Sequence, residues 1–289
     1  MSADGFVGRV VELQRLHDAA VRGACVCVSG TEGVGKTRLV AEFLRRNAAG
    51  WPSAAWIDAC ASPDRVDAGA GAGGLLVVDG FRGSRARATA LAAMARSGTT
   101  VLVTSRESLG VPGEVAFALA PLPRAHGDND APAVRLFLAR AAEFGVALDA
   151  ASLPAVATVV RLLDGMPLAL ELAAARVAVL GLSTVVAELE ARVDARVRRG
   201  ERVVRSDLVQ IVVAWAWATL RPGDAAALAA CARRGAGEVA ARDLGASGDA
   251  ILARLVASGI VRPDAATGVL ALPPRVREYA LERYPSGIG

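Results

Sequence analysis

Residues 30–37 are Gly30-Thr31-Glu32-Gly33-Val34-Gly35-Lys36-Thr37, and this stretch decides the fold of the chain. It satisfies the spacing G-x-x-x-x-G-K-[ST] and lies between a short apolar run at 24–29 and a segment with helical periodicity. Such a glycine-rich turn lets backbone N–H groups surround phosphate oxygens, and the N-terminus of the following helix adds positive potential. The stretch is therefore predicted to be a phosphate-binding Walker A loop.

The side chains of this loop suit a magnesium nucleotide. Lys36 is the only lysine among the 33 lysine and arginine residues of the chain. A compact ammonium fits a tight loop better than a planar guanidinium does, so Lys36 is expected to bridge the β and γ phosphates. Thr37 is expected to be a Mg²⁺ ligand. The backbone at Gly30, Gly33 and Gly35 is predicted to cradle the phosphates.

Two later apolar runs end in polar residues that suit the same site. Residues 75–78 are followed by Asp79, which is predicted to end a Walker B strand and to bind Mg²⁺. The next residue is Gly80, where hydrolytic P-loop enzymes commonly carry a second acidic group, so no general base is visible and hydrolysis is expected to be slow or absent. Arg106 follows the run at 100–103. It is either a γ-phosphate sensor or a surface arginine after a strand.

The chain divides into an α/β part and a helical part. Strands predicted at 24–29, 54–57, 75–78, 100–103 and 115–119 alternate with helices, which is typical of a parallel sheet with helices on both faces. After residue 124 helical periodicity takes over, and an arginine-rich stretch at 192–207 marks a second junction. Helices at 206–220, 224–234 and 249–258 then precede two short apolar runs, 260–261 and 269–272, which suit a hairpin. We predict a P-loop NTPase domain (1–124), an all-α domain (125–203) and a winged-helix domain (204–289).

Composition excludes several classes of protein. The net charge is only +4, and the four cysteines and two histidines lack metal-ligand spacing. The longest apolar stretch, 208–220, is shorter than the roughly 20 residues that a membrane span needs. No basic-then-apolar leader is visible at the N-terminus. We therefore expect a cytoplasmic protein with no membrane association.

The chain resembles the nucleotide-binding core of the signal transduction ATPases with numerous domains (STAND), in the AP-ATPase or NB-ARC branch. It is most similar to versions found in bacterial transcriptional regulators of the SARP and LuxR-associated kind. The resemblance covers almost the whole chain. It is carried by Phe6-Val7-Gly8-Arg9, the Walker A loop with Arg38, the Walker B strand, and the stretches VLVTSRESLGVPG (101–113), LDGMPLALELAAARV (163–177) and VREYALER (276–283).

The resemblance implies that ADP or ATP with Mg²⁺ is held between domains and that exchange toggles closed and open states. It places Val7 and Arg9 near the adenine, Arg38 with the nucleotide-binding residues, Arg106 at the γ-phosphate and Pro167 against the base. Asp79 and Arg106 would form the catalytic pair. The resemblance also implies a protein partner, either an effector or a sensor chain, and a nucleotide-dependent oligomer.

Three departures from the family pattern limit this resemblance. The connector at 59–74 is short and rich in Gly and Ala, Gly80 lacks a side chain, and Leu272-Pro273-Pro274 replaces the Met-His-Asp motif. The leading interpretation is a nucleotide-dependent switch with slow or absent hydrolysis. The departures favour an alternative, a degenerate scaffold or adaptor that no longer cycles. A third interpretation, DNA binding through the winged helix and the arginine-rich stretch, is not favoured because basic charge is not clustered.

Overall fold

The computed structural model describes residues 6–22, 25–59, 73–124, 130–200, 202–234, 239–245, 247–263 and 270–284. Contacts within the chain define two compact units, one formed by Arg9–Ala120 and the other by Met1–Gly8 with Pro121–Gly289. The predicted domain boundaries after residues 124 and 203 stay predictions. Most of the predicted connector at 59–74 lies outside the described residues.

The first unit contains a parallel sheet with strand order β2-β3-β4-β1-β5. Every neighbouring pair of these strands is parallel, which confirms the predicted parallel α/β sheet. The central strands β1 and β3 are nearly continuous apolar runs because helices cover both faces of the sheet. The elements are α1 Val10–Val21, β1 Cys25–Ser29, α2 Lys36–Asn47, β2 Ala54–Asp58, β3 Leu75–Phe81, α3 Arg85–Arg96, β4 Thr100–Ser105 and β5 Glu114–Ala118.

The two faces of the sheet carry different helices. Residues of α3, among them Leu91, pack with Leu76 and Val101 in one apolar cluster. Thr100 points to the opposite face, where its hydroxyl donates to the carbonyl of Ala20 in α1. Successive side chains of a strand point to opposite faces of the sheet, and for this reason Val101 and its neighbour Thr100 contact different helices.

The second unit is mainly helical in its described part, and α6 lies at its centre. Residues 168–177 of α6 are all buried, which is typical of a helix covered by neighbours on every side. Helix α6 packs against α4, α7 and α8. The elements are α4 Pro132–Glu143, α5 Leu153–Leu162, α6 Pro167–Leu180, α7 Leu182–Arg198, α8 Arg205–Trp217, α9 Pro222–Arg233, α10 Gly248–Ala257, β6 Arg262–Pro263, β7 Leu270–Ala271 and α11 Pro274–Arg283.

Gly165 forms the tight turn that precedes α6. Its φ is 64°, in the left-handed region, and its carbonyl accepts a hydrogen bond of 3.0 Å from the N–H of Leu122. A Cβ atom at this position would overlap the carbonyl oxygen of Leu122. Only glycine satisfies both the backbone angle and the close approach.

The C-terminal hairpin differs from the prediction in its first strand. β6 and β7 pair antiparallel over two residues each, but β6 begins at Arg262, whereas the sequence pattern placed the strand at 260–261. Ile260 and Val261 are instead buried residues that precede it. The predicted turn at 264–268 lies outside the described residues, and the winged-helix domain stays a prediction.

One buried carboxylate stabilises this C-terminal region. Asp224, near the start of α9, is 4% exposed and accepts two hydrogen bonds, of 2.7 and 2.6 Å, from the guanidinium of Arg254 in α10. Those hydrogen bonds lower the pKa of Asp224. The pair therefore joins two helices of the second unit.

None of the helices in the described ranges has the length and hydropathy that a bilayer span requires.

Candidate phosphate-binding site

The glycine loop joins the end of β1 to the start of α2. Gly35 is the N-cap residue of α2 and has a φ of 97°, so it turns the chain into the helix in a conformation that glycine adopts readily. A Cβ atom on Gly30 would lie 2.7 Å from the carbonyl oxygen of Leu119, which is too close for any other residue. Gly33 also has a positive φ, of 79°. The predicted glycines are therefore required by the path of the loop.

Lys36 is the first residue of α2, and its side chain folds back over the loop. Its Nζ donates hydrogen bonds to the carbonyl oxygens of Gly30, at 2.7 Å, and Thr31, at 3.2 Å. Burial lowers the pKa of Lys36, and the nearby carboxylates of Glu32 and Asp79 oppose that effect. The ammonium thus lies inside the loop.

Asp79 lies near the carboxyl end of β3, two residues before the strand ends at Phe81, and it accepts hydrogen bonds from two hydroxyl groups. Thr37 donates to its Oδ1 at 2.8 Å, and Thr104 of β4 donates to the same oxygen at 2.5 Å. Burial raises the pKa of Asp79, against the effect of these hydrogen bonds. The predicted Thr37 and Asp79 are therefore in direct contact, and Thr104 joins them, although the sequence analysis assigned it no role.

Gly80, next to Asp79, contributes only its backbone to this network. Its N–H donates to the hydroxyl of Thr104 at 2.8 Å. Asp58 lies directly beside Asp79 on the neighbouring strand β2, and its charge also raises the pKa of Asp79. Sequence reasoning missed Asp58. An aspartate directly after the apolar strand at 54–57 was the available signal.

Arg106 follows β4 and reaches the glycine loop. It forms an ion pair with Glu32, and Arg82, one residue beyond β3, lies 3.1 Å from the same carboxylate oxygen. The N–H of Gly30 also donates to the carbonyl of Arg106 at 3.2 Å. Arg106 is thus a half-exposed residue after a strand that also contacts the loop, and its role as a γ-phosphate sensor stays a prediction. Glu32 and Arg82 were not predicted, because nothing in their local sequence indicates that they meet.

Arg9 contacts the glycine loop at Val34, close to the start of α2. It is 8% exposed and has a φ of 65°, and its guanidinium donates to the carbonyl of Val34 at 3.2 Å and to Glu12 at 2.9 Å. Arg38 lies in the first turn of α2. Val7 and Pro167 belong to the second unit, with Pro167 as the first residue of α6. The nucleotide contacts predicted for these residues stay predictions.

Comparisons of the sequence with known proteins give only a partial match. No protein-family model matches the chain. Over 93 residues the chain is 38% identical to uncharacterized proteins of Mycobacterium tuberculosis and Mycobacterium bovis, a match that covers 32% of this chain and 23% of theirs. The chain thus spans less than a quarter of the length of these curated relatives.

A solved structure matches nearly the whole chain. It is a STAND protein with a tetratricopeptide repeat sensor from Pyrococcus horikoshii, at a TM-score of 0.59 and 17% identity, over 97% of this chain and 43% of that one. The chain is therefore similar in fold to this STAND protein. At this identity the likeness concerns the fold alone.

Proposed function

We propose that this chain is an ATP- and ADP-binding switch of the STAND type whose hydrolysis is slow or absent. One observation carries the proposal: Lys36, the Thr37–Asp79 pair and Arg106 all reach the same glycine loop. An ammonium, a guanidinium and a glycine-rich backbone turn are all suited to bind phosphate, and they occur where the predicted motif requires them.

The residues also fit a magnesium ion. Thr37 and Asp79 offer only oxygen ligands, which a hard cation prefers, and Mg²⁺ commonly takes one or two such protein groups together with nucleotide phosphates. A bound cation would offset the burial that raises the pKa of Asp79. When bound, Mg²⁺ neutralises phosphate charge, while Lys36 and Arg106 orient the phosphates.

Slow hydrolysis is proposed because of Gly80. Its backbone N–H is engaged by Thr104, and it has no side chain that orients or deprotonates water. Loss of a general base typically costs about 10²- to 10⁴-fold in rate. Nucleotide binding is retained because it depends on the loop and not on a base.

We place the switch in bacterial signalling or transcriptional regulation, as the resemblance to SARP- and LuxR-associated regulators implies. In this proposal the bound nucleotide changes the population of closed and open states, and a protein partner or sensor segment responds. The structural match to a STAND protein that carries a tetratricopeptide repeat sensor supports a sensor of this kind. Nucleotide-dependent oligomer formation belongs to the same proposal.

The test is the nucleotide content and turnover of the purified chain. We expect denaturation to release ADP or ATP, and single-turnover assays with labelled Mg²⁺-ATP to show binding that is much faster than product formation. A folded sample that releases no nucleotide and binds no labelled ATP would refute the proposal.

A second candidate function is a scaffold or adaptor that does not cycle, and Gly80 is the observation that favours it. It predicts nucleotide occupancy without turnover and a partner interaction that survives Lys36→Ala. Loss of partner binding in that variant would exclude the scaffold.

DNA binding stays the least favoured alternative, because three arginines of the stretch at 192–207 are each held by a carboxylate. Arg192 binds Glu188, Arg196 binds Asp207 and Arg205 binds Asp164. Arginines held by carboxylates offer less charge for phosphate neutralisation. A mobility shift with duplex DNA that weakens as salt rises would support this alternative instead.

A further inference from the structure

Glu32 is an acidic residue inside the phosphate-binding loop, and two arginines hold it. The Nη2 atom of Arg82 lies 3.1 Å from its Oε1, and Arg106 forms an ion pair with the same oxygen. Arg82 follows β3 and Arg106 follows β4, so both approach from the carboxyl edge of neighbouring parallel strands. One carboxylate oxygen of Glu32 thus contacts two guanidinium groups, each from an arginine that follows a different strand.

The same guanidinium groups suit a phosphate equally well. Arginine N–H groups bind carboxylate and phosphate oxygens with the same planar geometry. The side chains of Arg82 and Arg106 are 49% and 53% exposed, whereas that of Glu32 is 19% exposed. Because both arginines are about half exposed, solvent screens their ion pairs with Glu32 and weakens them. A competing anion of higher charge can therefore displace Glu32 from both arginines.

We propose that Glu32 sets the preference of this site for ADP over ATP by occupying Arg82 and Arg106, the donors that a third phosphate would take. This inference rests on the proposed nucleotide-binding function. A diphosphate leaves both ion pairs intact, because the loop N–H groups and Lys36 bind it. A triphosphate must break the pairs, and it also brings additional negative charge beside the Glu32 carboxylate. Glu32 is thus a specificity-determining residue that acts through the two arginines.

The test compares the wild-type chain with Glu32→Gln, which keeps the size of the side chain and removes its charge. Dissociation constants for Mg²⁺-ADP and Mg²⁺-ATP are measured by titration calorimetry on nucleotide-stripped protein. We expect Glu32→Gln to tighten ATP binding by about 3- to 10-fold, the scale of one or two exposed ion pairs. ADP binding should change by less than about twofold, because a diphosphate does not compete for the arginines.

The matched control is Glu107→Gln, which removes one negative charge from the residue next to Arg106. Among the described residues, the Glu107 side chain forms no ion pair with either arginine. It should leave the ratio of ATP to ADP affinity unchanged. The same change in both Glu32→Gln and Glu107→Gln would mean that general charge, and not the pairing, is responsible, and it would overturn the inference.

A second comparison covers the possibility that one substitution disturbs the loop. Glu32→Ala should shift the affinity ratio in the same direction as Glu32→Gln. In an Arg106→Gln background the effect of Glu32→Gln should shrink, because a donor that Glu32 occupies is gone. An unchanged ratio in a wild-type protein that binds nucleotide would overturn this inference alone. Absence of all nucleotide binding in the wild type would overturn the proposed function as well.

Discussion

Replacement of Lys36 by alanine tests the site most directly. In the structure its Nζ donates to two neutral carbonyl oxygens of the loop, and in the proposed complex it donates to phosphate oxygens instead. The ammonium is charged in both states, so the complex adds its attraction to anionic phosphate oxygens, and truncating one partner of a hydrogen-bonded charge pair costs about 2–5 kcal/mol. The loop is partly exposed, so the lower part of that range, about 2–3 kcal/mol, applies, and Lys36→Ala should weaken ATP and ADP binding by about 30- to 150-fold.

The same substitution should have little effect on folding. Burial lowers the pKa of Lys36, so the folded chain already bears a cost for holding this ammonium. The carbonyl groups of Gly30 and Thr31 lie in a partly exposed loop, where water can replace the lost donor. We expect the free energy of unfolding to change by less than about 1 kcal/mol.

The assay is titration with a fluorescent ATP analogue, alongside thermal unfolding. Arg45→Ala is the control, because it removes a positive charge from the same helix, where Arg45 is 43% exposed and pairs with Glu42. It should change affinity by less than about twofold. A folded Lys36→Ala protein that binds ATP as tightly as the wild type would refute the assignment of this loop as the phosphate site.

Three further outcomes are expected. Chelation of Mg²⁺ should weaken ATP binding to the wild type by about tenfold or more and should hardly affect Asp79→Asn, which a competition assay with and without EDTA measures. Gly165→Ala should destabilise the chain by about 2 kcal/mol or more in urea unfolding, since it adds an overlap to the cost of a left-handed backbone. Gly145→Ala, also at positive φ but with open space around it, should cost only about 1 kcal/mol. The pKa of Asp224 is lower in the folded chain than in the unfolded chain, so its ionised form stabilises the fold at pH values above the ordinary aspartate pKa. This stability is lost as pH falls through the lowered pKa. Asp224→Asn should therefore make the free energy of unfolding depend less on pH in the acid range, which unfolding curves at several pH values measure.

Local sequence patterns predicted the sheet well, because its central strands are continuous apolar runs and its first turn carries a specific motif. The strands at β1, β3 and β4 occur where the runs predicted them, each within a few residues. The hairpin at β6 and β7 was predicted less accurately. Strands of two residues are too short for an alternating pattern to locate them, and Ile260 and Val261 are apolar because they are buried and not because they pair.

The sequence by itself determined the phosphate-binding loop, because a glycine path, a lysine and a threonine at fixed spacing meet their chemical requirements within eight residues. It also showed that Asp79 follows an apolar run, although β3 does not end there as predicted but continues to Phe81. Only the tertiary structure decided which charges meet there. Arg82 and Glu32 are 50 residues apart, and Asp58 lies beside Asp79 only because β2 pairs with β3. Strand order controls such encounters, and strand order is set by the packing of the whole sheet and not by local residue patterns.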